Sequence, residues 1–197
     1  MFQASANADQ GTGLNLLDMP YIGPANIQKI EIAEVNDTPN CFSVEFGNFT
    51  GTDIQGGSQA GKIFNHTEWA PKDGESAEDT QKKIDRIVYI CSKVAPKETL
   101  LAIQAANWVE YLNKVLAIVN QAQYVGKTVY IKAMGNVWEG KPRVKFPGYR
   151  SFISVENDLT FSAKESAQNQ EYITALTTPS AAGAPAGATT SVENAGF

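Results

Sequence analysis

Residues 127–152, KTVYIKAMGNVWEGKPRVKFPGYRSF, decide the reading of the fold. Val129, Ile131 and Ala133 alternate with Thr128, Tyr130 and Lys132, the two-residue period of a half-buried strand. Gly135 to Lys141 reads as a loop carrying Trp138, and beyond it Arg143 and Lys145 alternate with Val144 and Phe146 in a second strand. The stretch holds six of the 16 Lys and Arg residues (Lys127, Lys132, Lys141, Arg143, Lys145, Arg150) against one acid, Glu139. Its charge of +5 sits in a chain of −5, so the remainder sums to −10. Tyr130, Trp138, Phe146, Tyr149 and Phe152 are threaded among the cations. Such a strip suits a single-stranded nucleic acid: cations neutralise phosphates, and flat rings stack bases at about 1–3 kcal/mol each.

Outward from this hairpin, the preceding sequence is helical. Ser76-Ala-Glu-Asp79 resembles a capping box, and Ile84, Ile87, Val88, Cys91 and Val94 follow at helical spacing. Pro96 ends that helix and opens a second one, whose stripe of Leu101, Ala105, Trp108, Leu112, Val115, Leu116 and Val119 runs to about Ala122. Earlier still, IQKIEIAEV (27–35) and Cys41 to Phe46 alternate about the turn sequence NDTPN, which predicts a hairpin. GNFTGTDIQGGSQAG (47–61) reads as a flexible connection, and KIFNHTEW (62–69) as a third strand. Residues 1–26 form a lead-in whose LNLLDMPYIGP portion should dock on the body. Ser162 to Leu176 reads as a weak helix, and 177–197, rich in Ala, Gly, Pro and Thr, as a disordered tail.

The predicted class is mainly β with a helical insertion, α+β. Three strands, a two-helix block over 76–122 and two further strands give the element order of a five-stranded OB-like Greek-key barrel spanning 27–176. In that fold the loop between strands four and five, with the face of strands two and three, binds oligonucleotides. The fourth-to-fifth loop here is GNVWEGK, inside the basic stretch.

The candidate nucleic-acid contacts are Tyr130, Lys132, Trp138, Lys141, Arg143, Lys145, Tyr149 and Arg150. Lys132, Arg143 and Lys145 would share the non-core face of the hairpin with Tyr130, as a phosphate-tracking strip or as an ordinary solvated strand face. Trp138, between Gly135 and Gly140, is read as a ligand or partner contact rather than a ring folded back on the body. Phe146 and Phe152 are read as core. Phe64 and Trp69 could extend a binding face, whereas Trp108 belongs to a helix core stripe.

His66, the one histidine, is read as a strand residue, because only Glu68 lies near it as a further ligand. Cys41 and Cys91 sit among apolar neighbours and are expected to be buried thiols. The GxxxxGK[ST], HExxH and GxSxG patterns are missing, and no GxGxxG follows a strand, so no enzyme, cofactor or metal is expected. At 197 residues and 43% hydrophobic the chain can bury one ordinary core. It lacks a signal-peptide pattern and any apolar run near the about 20 residues that cross a bilayer, so a soluble cytoplasmic protein is expected, in the host cytoplasm if viral.

FNHTEWAP before the helical block, VYIKAMGN and RVKFPGYRSF together resemble phage-encoded OB-fold single-stranded DNA-binding proteins over residues 27–155. The tail, ending SVENAGF, is similar to theirs in its linker and terminal Phe197, but Glu193 is its one acidic side chain. The resemblance implies sequence-independent binding of single-stranded DNA in phage replication or recombination. It also implies replication proteins as tail partners; the helical block could brace the barrel or make a subunit contact in a homo-oligomer. The competing expectation is a structural or adaptor protein of a virion, with both termini ordering on neighbouring subunits.

Overall fold

The computed structural model describes residues 15–148 and 151–177. Its elements are β1 (Tyr21–Val35), β2 (Thr38–Gly47), β3 (Phe64–Glu68), α1 (Ala77–Cys91), α2 (Lys97–Leu101), α3 (Trp108–Gln121), β4 (Thr128–Trp138), β5 (Lys141–Lys145), β6 (Ile153–Ser154) and α4 (Ala163–Thr177). The fold is mixed α+β. Its sheet has the order β3-β2-β1-β4-β5, with β6 on β4 and every pairing antiparallel.

The first hairpin turns at Asn36 and Asp37, both at positive φ (46° and 60°), as a two-residue turn between twisted strands requires. β1 starts at Tyr21, six residues before the expected Ile27. Pro24 hid this start, since proline cannot donate to a ladder on both sides. Pro24 lies where β1 pairs with β4 only; the β2 pairing stops at Asn26 opposite Gly47. A register shift at Gln28 marks the change of partner. The residues before β1 dock as expected, with Leu17 buried and its N–H bonded to the Ile63 carbonyl at 2.7 Å.

The Gly-rich connection is built around a buried carboxylate rather than left loose. Asp53 Oδ1 accepts from the Gln55 and Gly57 N–H groups at 2.7 and 3.0 Å, and Oδ2 accepts from the Gln59 amide at 2.6 Å. A Cβ on Gly57 would lie 2.7 Å from Asp53 Oδ2, so that glycine serves close packing.

The helical insertion falls between β3 and β4 as read. Ser76 caps α1, accepting from the Asp79 N–H at 3.0 Å. The expected second helix is two helices. Asn107 accepts from the Glu110 N–H, and the Glu110 carboxylate accepts from the Ala106 N–H, both at 2.9 Å. This reciprocal cap starts a new helix inside the continuous apolar stripe.

Ile87, Ile90 and Cys91 of α1 and Leu112, Val115 and Val119 of α3 pack into one cluster with Ile30, Phe42, Val44, Val129 and Ile131 of the sheet. Each fully buried aliphatic side chain contributes about 1.5–3 kcal/mol. Cys41 and Cys91 are both buried free thiols, and burial raises the Cys91 pKa strongly. Trp108 packs against this cluster while its indole N–H bonds the Asn40 carbonyl at 2.8 Å.

The expected closed barrel is not formed. Among the described residues, β3 and β5 end the sheet without pairing to each other. Phe146, just beyond β5, takes up the gap with its side chain. Its ring centroid is 4.8 Å from Phe64 of β3 and 5.5 Å from Phe46 of β2, so rings meet where backbone bonds would close the sheet.

Candidate nucleic-acid interface

β4 runs on through Trp138, and the turn to β5 is only Glu139-Gly140, with φ of 50° and 73°. Trp138 therefore ends a strand instead of tipping a loop. The signal for this was the X-Gly pair at a two-residue turn. Gly135, read as the start of a loop, is a strand residue pressed against α4. A Cβ there would lie 2.3 Å from the Tyr172 ring.

The register pairs Met134 with Lys145, Asn136 with Arg143, and Trp138 with Lys141, so these six side chains share one face of the hairpin. Lys141, Arg143 and Lys145 are exposed, and Trp138 is 51% exposed. The Arg143 guanidinium carbon lies 4.9 Å from the Trp138 ring centroid, a cation–π contact at the surface. A cleft of about 750 Å³ adjoins the hairpin. Lys141 and Arg143 supply its positive charge and Asp18 an acid, and Leu16, Val144, Tyr172 and Leu176 are among its apolar lining.

Lys132 departs from the expected strip. It is 4% exposed, its Nζ 2.8 Å from Glu165 Oε1 and donating to the Thr160 carbonyl at 3.0 Å. Strand alternation had set it among the solvated cations, but α4 covers this part of β4. Tyr130 is half-buried, opposite Pro24 on one side and Ser154 on the other. Tyr149 and Arg150 lie outside the described residues, as do Glu193 and Phe197 of the tail. The expected core assignment of Phe146 and Phe152 holds: both are buried, with stacked rings 4.5 Å apart.

Phe64 is buried in β3 and is not part of an open binding face, whereas Trp69 is half-exposed just beyond that strand. His66 is a β3 residue with Nε2 2.8 Å from Glu68 Oε1, and Arg86 donates to the same oxygen at 3.0 Å. The outer side of β1–β3 carries Glu31 and Glu45, which line a shallow cleft of about 270 Å³ with Lys29, Ser43 and Thr67. Lys29 is paired there with Glu31 at 2.7 Å. That side presents acid, where the expected fold would present strands two and three to an oligonucleotide.

The sequence reading missed α4 as part of this region. Its buried residues are Glu165, Asn169 and Tyr172, spaced four and three apart. The Asn169 Oδ1 accepts from the Gly135 N–H at 2.9 Å, and the Tyr172 hydroxyl donates to the Asp18 carbonyl. Burial first, and then the Asp18 charge, push the Tyr172 phenol up to about 12. The spacing is a helical face, but it escaped notice because the face is polar and gives no apolar stripe.

Among the described residues, no group of three or more His, Cys, Asp and Glu could hold a metal ion, and no helix is long and apolar enough to cross a membrane. No family model, curated protein or solved structure matches the chain.

Proposed function

We propose that this chain is a non-enzymatic protein that binds single-stranded DNA with little regard to sequence, in the cytoplasm, during replication or recombination of phage DNA. The observation that carries the reading is the Trp138–Arg143 pair. A half-exposed indole with a guanidinium 4.9 Å from its centroid stands between the exposed Lys141 and Lys145. Trp138 offers a stacking platform and the three cations track a backbone, the combination that single strands need and that tolerates any base.

The strand order supports the same reading. β3-β2-β1-β4-β5, with helices between β3 and β4, is the order of an OB barrel opened at the seam between its third and fifth strands. Glu31 and Glu45 on the outer side of β1–β3 repel phosphates, so the strand is directed to the β4–β5 hairpin.

The test is a titration with oligo-dT at two salt concentrations, read by tryptophan fluorescence. Quenching that disappears in Trp138→Phe is expected, with log K falling by roughly 2 per decade of salt for three phosphate contacts at about 0.7 each. Binding that is absent at low salt overturns the reading.

A further inference from the structure

We propose that the nucleic-acid surface extends beneath α4, which the bound strand displaces so that Lys132 exchanges Glu165 for a backbone phosphate. The inference rests on the single-strand reading given above. It starts from the way α4 is attached. A helix fixed permanently to a sheet normally buries an apolar stripe. The buried residues of α4 are instead a carboxylate, an amide and a phenol: Glu165, Asn169 and Tyr172.

Each of these contacts has a counterpart in a nucleotide. Glu165 places an anion 2.8 Å from the Lys132 ammonium, as a phosphate would. Asn169 presents a carbonyl oxygen to the Gly135 N–H at 2.9 Å, as a base edge would. Tyr172 lays a ring against the bare Cα of Gly135, where a Cβ would be 2.3 Å from it. By strand alternation Lys132 and Met134 share the face of Asn136, Trp138 and the exposed cations of β5, with Met134 opposite Lys145, whereas Gly135 turns to the other face. The Lys132 end of the covered strip thus continues the exposed one.

The attachment is also of a kind that can open. Tyr172 and Met134 are buried outside the main hydrophobic cluster, so lifting α4 leaves that core intact. The Asn169 Nδ2 is buried without a hydrogen-bond partner among the described residues. A buried ion pair recovers little beyond the cost of desolvating its two charges. A strand that offers Lys132 an equivalent anion therefore competes on nearly equal terms.

Backbone amide exchange of the full chain, with and without saturating oligo-dT, tests the displacement without any variant. Exchange in α4 should speed up in the complex while α1 and α3 stay protected. The second measurement is the oligo-dT affinity of Glu165→Gln. Removing the competing anion should tighten binding at least about threefold and leave the log–log salt slope as in wild type, because Lys132 meets the same phosphate in both complexes. Wild-type protein that binds while α4 keeps its protection overturns the displacement and leaves the single-strand reading standing, as does unchanged affinity in a folded Glu165→Gln. Wild-type protein that does not bind overturns both.

Discussion

The Arg143 guanidinium rests 4.9 Å from the centre of the Trp138 indole, and the two residues face one another diagonally across the β4–β5 hairpin. This contact holds the ring on the exposed face before any ligand arrives, so a base that stacks there does not have to order it. Trp138→Ala should weaken oligo-dT binding by about 1–3 kcal/mol, roughly 5- to 150-fold. Arg143→Lys keeps the charge but loses the planar stack, so its salt slope should stay while its affinity falls. Both variants should unfold at the wild-type urea midpoint, because the pair lies outside the core. An unchanged dissociation constant for Trp138→Ala would sink the site.

Gly135 of β4 packs directly against the Tyr172 ring of α4. A methyl group at Gly135 would sit 2.3 Å from Tyr172 Cγ, with Cβ and Cδ1 at 2.5 and 2.8 Å. Gly135→Ala should therefore cost about 1–3 kcal/mol as overpacking. Most of that cost should vanish in a Tyr172→Ala background, since the two sites share one contact. A denaturant double-mutant cycle measures the coupling; a cost that persists without the ring would place the strain in the backbone of β4.

What the sequence made legible depended on whether a local pattern stayed local. The alternation of β2, the Ser76 cap and the core roles of Phe146 and Phe152 follow from neighbouring residues, and they stand in the structure as read. Lys132 fails for the opposite reason. Its alternation was read correctly, but its burial is decided by Glu165, 33 positions further on in a helix with no apolar stripe. The break before α3 was hidden by a stripe of apolar residues that runs across it, and only the Asn107–Glu110 cap marks it. Barrel closure lay beyond reach as well. Whether β5 pairs with β3 depends on where the Phe146 ring settles, and alternation along either strand does not specify that.

The loop between β2 and β3 provides a test of stability away from the candidate interface. Asp53 is 8% exposed and accepts three hydrogen bonds from within its loop. Asp53→Ala orphans these donors at about 1–3 kcal/mol for each one that stays buried. Loss of at least about 2 kcal/mol is expected in urea, with an unchanged m-value and earlier proteolytic cleavage within residues 48–63. Oligo-dT affinity measured well below the transition should stay at the wild-type value. A stability change under about 0.5 kcal/mol, the size usual for plain surface substitutions, would mean that the glycines order the loop without the carboxylate.

Alkaline pH should separate the folded and unfolded states through the buried tyrosines, since the phenols of Tyr21, Tyr111 and Tyr172 are all raised. Burial pushes the Tyr21 phenol, whose hydroxyl donates to the Pro24 carbonyl at 2.8 Å, from 10.0 up to about 12. Tyr172 is raised to about 12 as well, by burial and then by Asp18. A folded-state pKa above the unfolded one means that the native protein keeps its proton where the unfolded chain has lost it. This contribution is complete below about pH 10 and is lost as pH rises from about 10 to about 12. The urea midpoint should accordingly fall across that interval, and tyrosinate absorbance should grow in two stages, with the buried phenols ionising last. Tyr172→Phe removes one of these groups but keeps the ring against Gly135, so its midpoint should fall less steeply with pH. An identical slope in Tyr172→Phe and wild type would show that the alkaline loss arises elsewhere in the chain.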